Sequence, residues 1–361
     1  MSARDDELLA WAAAAAGTAW TGARIQRTSA LRGDLSTRRF WRIAIAGANA
    51  PSSAILVDLG PDDLPGYARA LKLVDTPPAE PPWLSVHRFL SWLGAPVPQI
   101  YGSHVPLRAL LVEDVGEVSL VDAVRANPAE TADLFRIAVE LLLQLHVEGT
   151  RALQADLLPA QVAYDQRLFR WEFREFLELG CAVLEGKPNP DSLTAELDAM
   201  TAELGRLPRV FSHRDFHGQN LFVQRASAGV RMRVIDFQDA LMAPNAQDLA
   251  VLLTTRDMDM LISPALERRL LDFYYAGLVR RGAAVMNAGD FHRSYQLCVL
   301  QHALKMIGRF LMFERNGKPG YSVFVPHLIE QVRRVLRDGL ERDFPLLAAA
   351  AGPSSSPVVP E

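Results

Sequence analysis

The 361 residues carry a net charge of -4, with 49% hydrophobic and 22% charged residues. That balance suits a soluble globular chain of two or three structural units and offers no global positive field for nucleic acid or an anionic membrane. Two cysteines, Cys181 and Cys298, exclude a disulfide framework or a zinc cluster and fit a reducing cytoplasm.

In chain order, the alanine-rich LLAWAAAAAGTAW favours helix. Acidic Asp5, Asp6 and Glu7 precede it where a signal peptide needs positive charge, so it reads as an amphipathic opening helix. No apolar run reaches the length that spans a bilayer. Residues Ile25 to Ile45 hold a Gly-Asp turn (Gly33-Asp34), then Ser36 and Thr37, then an alternating stretch through Phe40, Ile43 and Ile45, which predicts a hairpin. Ala54 to Leu59 is the next strand. Pro61 to Pro82, rich in Pro, Asp and Gly, reads as a flexible loop. A helix from Pro82 to Leu93, with Leu84, Phe89 and Leu93 facing a core, stops at Gly94 and the prolines of GAPVPQIYG. Leu107 to Val112 is a strand running into EDVG.

The second half is mainly helical. Ala129 to His146 is a helix with Leu134, Ile137, Ala138, Leu141, Leu142 and Leu145 on its apolar side, and His146 near its end reads as a C-terminal cation. Tyr164 to Leu179 is a helix whose Phe169, Phe173 and Phe176 form a core stripe. Pro188 to Asp191 breaks it, and another helix runs through Ala195 to Leu204. In the helix Ser294 to Phe313, Gln301 and Lys305 fall four apart on one face with Arg309 a turn further on, a line that contacts an acceptor or is a solvated face. A last helix spans Pro326 to about Phe344, and the Ala- and Ser-rich end reads as a disordered tail.

Between these helices lies the stretch that carries chemistry, Phe211 to Asp248. Two apolar strand-like runs, Leu221-Phe222-Val223 and Val234-Ile235, are flanked by His213, Asp215, Asn220 and Asp236. His213, Asp215 and Asn220 spell H-x-D-x-x-x-x-N, and Asp236 heads a D-F-Q where protein kinases carry D-F-G. Phosphoryl transfer needs a carboxylate to orient the attacking hydroxyl and accept its proton, here Asp215. It also needs an amide oxygen and a second carboxylate to hold Mg2+, here Asn220 and Asp236. His213 supports the catalytic loop, and Asp248, after Pro244, caps a helix and ties that loop down.

This reading assigns roles upstream. The hairpin turn covers the phosphates of ATP, assisted by the hydroxyls of Ser36 and Thr37. The strand ending at Val57-Asp58 lacks the phosphate-pairing lysine expected near its end. Arg38, Arg39 and Arg42 are the cations at hand, and Arg39 or Arg42 is the favoured replacement. Glu113, Asp114 and Val115 stand at a hinge where backbone groups pair with the adenine edge.

The constellation resembles the aminoglycoside phosphotransferase and choline kinase-like family of small-molecule kinases over about Leu31 to Phe344, matching at His213, Asp215, Asn220, Ile235-Asp236-Phe237, Ala240 and Asp248-Leu249-Ala250. Within it, GD-x-S-x-RRFWR (Gly33 to Arg42), VIDFQDA (Val234 to Ala240) and Q-H-x-L-K-x-x-G-x-F (Gln301 to Phe310) are similar to bacterial kinases of the C1 hydroxyl of N-acetylmuramate and N-acetylglucosamine in cell-wall recycling. That subgroup also carries an aspartate where the strand lysine is expected, while LGPDDLPG after the strand and Ala243-Pro244 depart from its pattern. The resemblance implies an α+β, bilobal protein-kinase-like fold: a β-rich N-lobe over residues 1–113, a helical C-lobe over 114–345 and a tail over 346–361. It implies ATP and Mg2+ as cofactors, a small-molecule sugar as substrate with Gln301 and Lys305 as candidate contacts, a cytoplasmic enzyme, and no nucleic acid, membrane or obligate protein partner. Another hydroxyl kinase of the same fold, of aminoglycoside or choline type, and a pseudokinase are the alternatives.

Overall fold

A computed structural model of the chain describes residues 2–31, 37–62, 64–75, 78–227 and 229–353. The chain divides into two units, one drawn from Met1–Ser119 and Phe222–Gln238, the other from Leu120–Leu221 and Asp239–Glu361.

In the first unit, helix α1 (Ala3–Ala19) opens on a capping box in which Ser2 and Asp5 satisfy each other's backbone N–H. Leu8, Ala12 and Ala16, spaced by four, give it one buried stripe. Strands β1 (Arg24–Leu31), β2 (Arg39–Ala46), β3 (Ser53–Asp58), β4 (Ile100–His104) and β5 (Ala109–Glu113) form an antiparallel sheet in the order β1-β2-β3-β5-β4. Strand alternation sends Ile43, Ile45, Ala54, Leu56, Ala109 and Leu111 to the face on which α1 packs. Arg39 lies opposite Asp58 in the ladder and Arg42 opposite Ile55. The first pair therefore shares the α1 face, and the second points away from it.

Two local readings change. The span 61–82 is not one loop: Gly66–Leu71 forms helix α2, because Tyr67 and Ala68 are buried, and Lys72 in the left-handed region (φ 50°) ends it. Edge strand β4 was hidden by the proline punctuation before it and begins with a register shift at Ile100 to Gly102. Helix α3 (Pro82–Trp92) forms where expected and buries Trp83, Leu84, Val86 and Phe89. Strands Leu221–Ala226 and Gly229–Val234 pair as a hairpin.

In the second unit α4 (Leu120–Ala126) and α5 (Thr131–Gln144) precede helices at Gln166–Leu179, Pro190–Arg206, Gln247–Thr254, Pro264–Arg280, Ala288–Arg315, Val325–Val335 and Pro345–Ala351. Strand β6 (Arg209–Ser212) pairs antiparallel with Leu241–Pro244. Phe169, Phe173 and Phe176 are fully buried, as the stripe predicts. Helix Ala288–Arg315 crosses that stripe at Gly308, where a Cβ would fall 2.2 Å from the Phe176 nitrogen. The last long helix stops early, at Val335, and passes into a turn where Gly339 takes φ 153°. Residues 345–351 are helix rather than the start of a disordered tail, because Leu347, Ala350 and Ala351 are buried. The sheet-bearing first unit and helical second unit make an α+β, protein-kinase-like fold. Among the described residues no helix is long and apolar enough to cross a membrane.

Candidate active site

In the second unit, β6 carries the chain into the loop His213-Arg214-Asp215. Arg214 takes φ 75°, a left-handed conformation that an L side chain adopts at a cost of about 1–3 kcal/mol. Asp248, at the start of helix Gln247–Thr254 and fully buried, holds it there. Its Oδ1 accepts from Ser212 Oγ (2.8 Å) and Arg214 N (2.9 Å), and its Oδ2 from His213 N (2.7 Å) and His146 Nε2 (3.1 Å). Burial works against the Asp248 charge, but the hydrogen bond from His146 leads the interactions that hold the carboxyl below its ordinary range.

His146 is therefore not a helix-terminal surface cation: it is completely buried, and Tyr274 Oη lies 2.6 Å from its Nδ1. Tyr274 Oη also donates to the Asn245 carbonyl at 3.0 Å, so the His146 ring bridges Asp248 and Tyr274.

Asp215 follows directly. Asn220 Nδ2 and His217 N both donate to its backbone carbonyl at 2.9 Å, which turns the Asn220 amide so that Oδ1 is the atom left to accept or ligate. No described side chain hydrogen-bonds the Asp215 carboxylate. Burial acts to raise its pKa, but Arg214, then Lys305, His217 and His213, hold it below the usual carboxylate range. An ionised, unshared carboxylate can accept a hydroxyl proton.

Behind this loop Glu172, at 1% exposure, gathers four donors. Arg214 Nη2 lies at 3.2 Å, Lys305 Nζ at 3.1 Å and Gln301 Nε2 at 3.3 Å, with Tyr164 Oη as the fourth. Gln301 also receives a hydrogen bond from Gln247 Nε2 (3.2 Å). The line Gln301–Lys305 is thus buried polar structure next to the His213–Asp215 loop and not a solvated face; Arg309 continues it to Glu175 at 2.7 Å. Burial pushes the Lys305 ammonium down and Glu172 opposes that shift.

In the first unit, Asp236 also takes a left-handed φ, 65°. Its Oδ1 accepts from Gln238 Nε2 (3.0 Å) and lies 3.2 Å from Arg38 Nη1. Phe237 beside it packs on Trp83 and His87 of α3, at centroid distances of 5.0 and 5.9 Å. The favoured arginines are engaged elsewhere. Arg39 pairs with Asp58 (2.8 Å) and Asp5 (2.6 Å), with Arg4 of α1 completing the clamp on Asp58 at 2.6 Å. Arg42 pairs with Asp114 (2.7 Å) and Glu117. Thr37 Oγ1 donates to Asp62 (3.3 Å), and Ser36 lies outside the described residues. At the hinge, Glu113 carries an ion pair with Arg233 (2.6 Å), its N–H goes to Gln99 O, and the Val115 carbonyl accepts from Gln224 Nε2.

Sequence reading passed over Glu172, Ser212 and Tyr274, and took His146 for a helix-end cation. Glu172 alone had a signal: it lies on the helical face of Phe169, Phe173 and Phe176, and a carboxylate inside an aromatic core stripe needs buried partners.

Comparison with known proteins agrees with this geometry. Residues 29–284 match the model of the phosphotransferase enzyme family. An N-acetylmuramate/N-acetylglucosamine kinase from Neisseria meningitidis is 27% identical over 310 residues, 84% of each chain. A choline/ethanolamine kinase family protein from Mesorhizobium loti superposes with a TM-score of 0.56 at 12% identity, over 95% of this chain and 99% of that one. An ADP-bound aminoglycoside phosphotransferase gives 0.54 at 14% identity, over 94% and 99%.

Proposed function

The chain belongs to the phosphotransferase enzyme family and is an ATP-dependent kinase acting on a hydroxyl; from that premise we propose that its acceptor is the anomeric hydroxyl of N-acetylmuramate or N-acetylglucosamine, in peptidoglycan recycling. The observation that carries this is the relative bearing that activity in its name, at 27% identity over 84% of both chains.

In the proposed reaction, Asp215 orients the sugar hydroxyl and accepts its proton as the oxygen bonds to the γ-phosphorus and ADP leaves. Asn220 and Asp236 would hold Mg2+, since a hard dication prefers such oxygens. Asp236 Oδ2 has no hydrogen-bond partner among the described residues, and Asn220 is oriented by its own amide N–H, so the donor set fits. Bound magnesium supplies charge neutralisation at the phosphates. His213 and Asp248 act by fixing the loop.

The test is ADP production from Mg-ATP with N-acetylmuramate, N-acetylglucosamine, glucose, choline and kanamycin, with Asp215→Ala alongside. We expect turnover on the N-acetyl sugars, an acid-labile 1-phosphate as product, and loss of about a hundredfold or more in the variant with nucleotide binding kept. Turnover confined to choline or kanamycin would overturn the acceptor assignment.

A further inference from the structure

The first unit has to supply a cation for the triphosphate, and its sequence is short of them. In residues 1–119 and 222–238 the only lysine is Lys72, exposed at the end of α2. Sheet geometry then sorts the three arginines around β2. Arg39 and Asp58 share the face covered by α1, where Arg4 and Asp5 join them. This cluster is a staple between helix and sheet: both carboxylates are matched by guanidinium groups on the face that α1 covers. Arg42 faces the other way, yet Asp114 Oδ2 accepts from both Arg42 Nε and Ser53 Oγ at 2.7 Å, and Glu117 takes a second guanidinium nitrogen. That guanidinium ties β2 to the 114–117 segment.

Arg38 differs. It stands immediately before β2, at 16% side-chain exposure, with Nη1 3.2 Å from Asp236 Oδ1. Gln238 binds the same oxygen, and the left-handed backbone fixes where the Asp236 carboxylate points. We propose that Arg38 is the triphosphate-binding cation of this kinase, taking the place of the strand lysine that β3 lacks. The inference rests on the phosphotransfer reading, through the assignment of Asp236 to the metal that bridges the phosphates. A guanidinium beside that carboxylate presents a planar fork of N–H donors to phosphate oxygens, which a point-charge ammonium does not reproduce. Asp58 follows as a consequence: with the phosphate cation supplied by the loop before β2, the end of β3 is free to anchor the N-terminal helix.

Calorimetric titration of ATP, with Mg2+ and in EDTA, and of adenosine separates the possibilities in wild type, Arg38→Ala, Arg38→Lys and Arg39→Ala. Arg38→Ala should weaken ATP about 10- to 100-fold while leaving adenosine within about twofold. The loss should persist in EDTA, because the contact is to phosphate and not through the metal, and Arg38→Lys should recover part of it. Arg39→Ala should lower the melting temperature without separating ATP from adenosine. Unchanged ATP affinity in Arg38→Ala, or equal loss of ATP and adenosine, overturns the proposal while the kinase reading stands on wild-type turnover. A wild type that binds no ATP overturns both.

Discussion

Replacing Glu172 by Gln tests the most heavily connected charge in the second unit. The carboxylate is at 1% exposure and has Arg214 and Lys305 within 3.2 Å, both with side chains at or below 12% exposure. Glutamine keeps the shape, loses the charge and turns an N–H pair toward donors, so Lys305 loses the carboxylate it pairs with and Arg214 falls back on the longer contact to Asp239 at 3.9 Å. Removing one partner of a buried ion pair costs about 3–5 kcal/mol. For a unit of some two hundred residues that is a fall in melting temperature on the order of 10 °C. Catalysis should suffer too, because Arg214 is the left-handed residue before Asp215 and its guanidinium would be repelled by Lys305. The assay is calorimetric unfolding with kcat and KM for both substrates, on Glu172→Gln, Lys305→Met and the double variant. Removing Lys305 should restore part of the stability lost in Glu172→Gln, a coupling on the order of 1–3 kcal/mol. A Glu172→Gln protein melting within about 2 °C of wild type, or a double variant no better than the single, would refute the hub.

Asp248 gives a pH signature. Its folded pKa is depressed, so its contribution is fully present above the unfolded carboxylate value of about 4 and is lost as pH falls below it, through the folded value. Asp248→Asn should cost about 3 kcal/mol near neutrality, and its stability curve should fall less steeply than wild type in acid; parallel curves between pH 5 and 2 would exclude the assigned role. Gly308→Ala should destabilise by about 2 kcal/mol or more, because the new Cβ meets the Phe176 backbone and no rotamer relieves that contact. A melting curve unchanged by this substitution would mean the two helices do not approach as closely as described.

Much of this was legible because it is local. The alanine-rich opening helix, the strands β2 and β3 and the aromatic stripe of Gln166–Leu179 follow from neighbours a few positions apart. The order His213, Asp215, Asn220, Asp236 was legible because phosphoryl transfer restricts residue types at those spacings. What was hidden depends on partners far along the chain. His146 and Asp248 are 102 residues apart, Glu172 and Gln301 129, and nothing near His146 distinguishes a buried, hydrogen-bonded ring from a helix-end cation. Helix α2 was hidden because the Pro- and Asp-rich residues on either side of it favour a loop, although Ala, Arg and Leu within it favour helix and Tyr67 and Ala68 are buried.

The arginines of β2 show how the two kinds of information combine. Composition and spacing offered Arg38, Arg39 and Arg42 as phosphate cations and favoured Arg39 or Arg42, although each guanidinium has the same chemistry. Strand parity alone separates Arg39 from Arg42, because a step of three residues must change face. It still leaves either one open, as a free arginine on the inner face would serve. The decisive facts are the acidic partners: Asp5 and Asp58 claim Arg39, Asp114 and Glu117 claim Arg42, and Asp236 stands against Arg38. Each carboxylate lies 19 or more residues from its arginine, so the pairing of these chemically identical residues is set entirely by the fold.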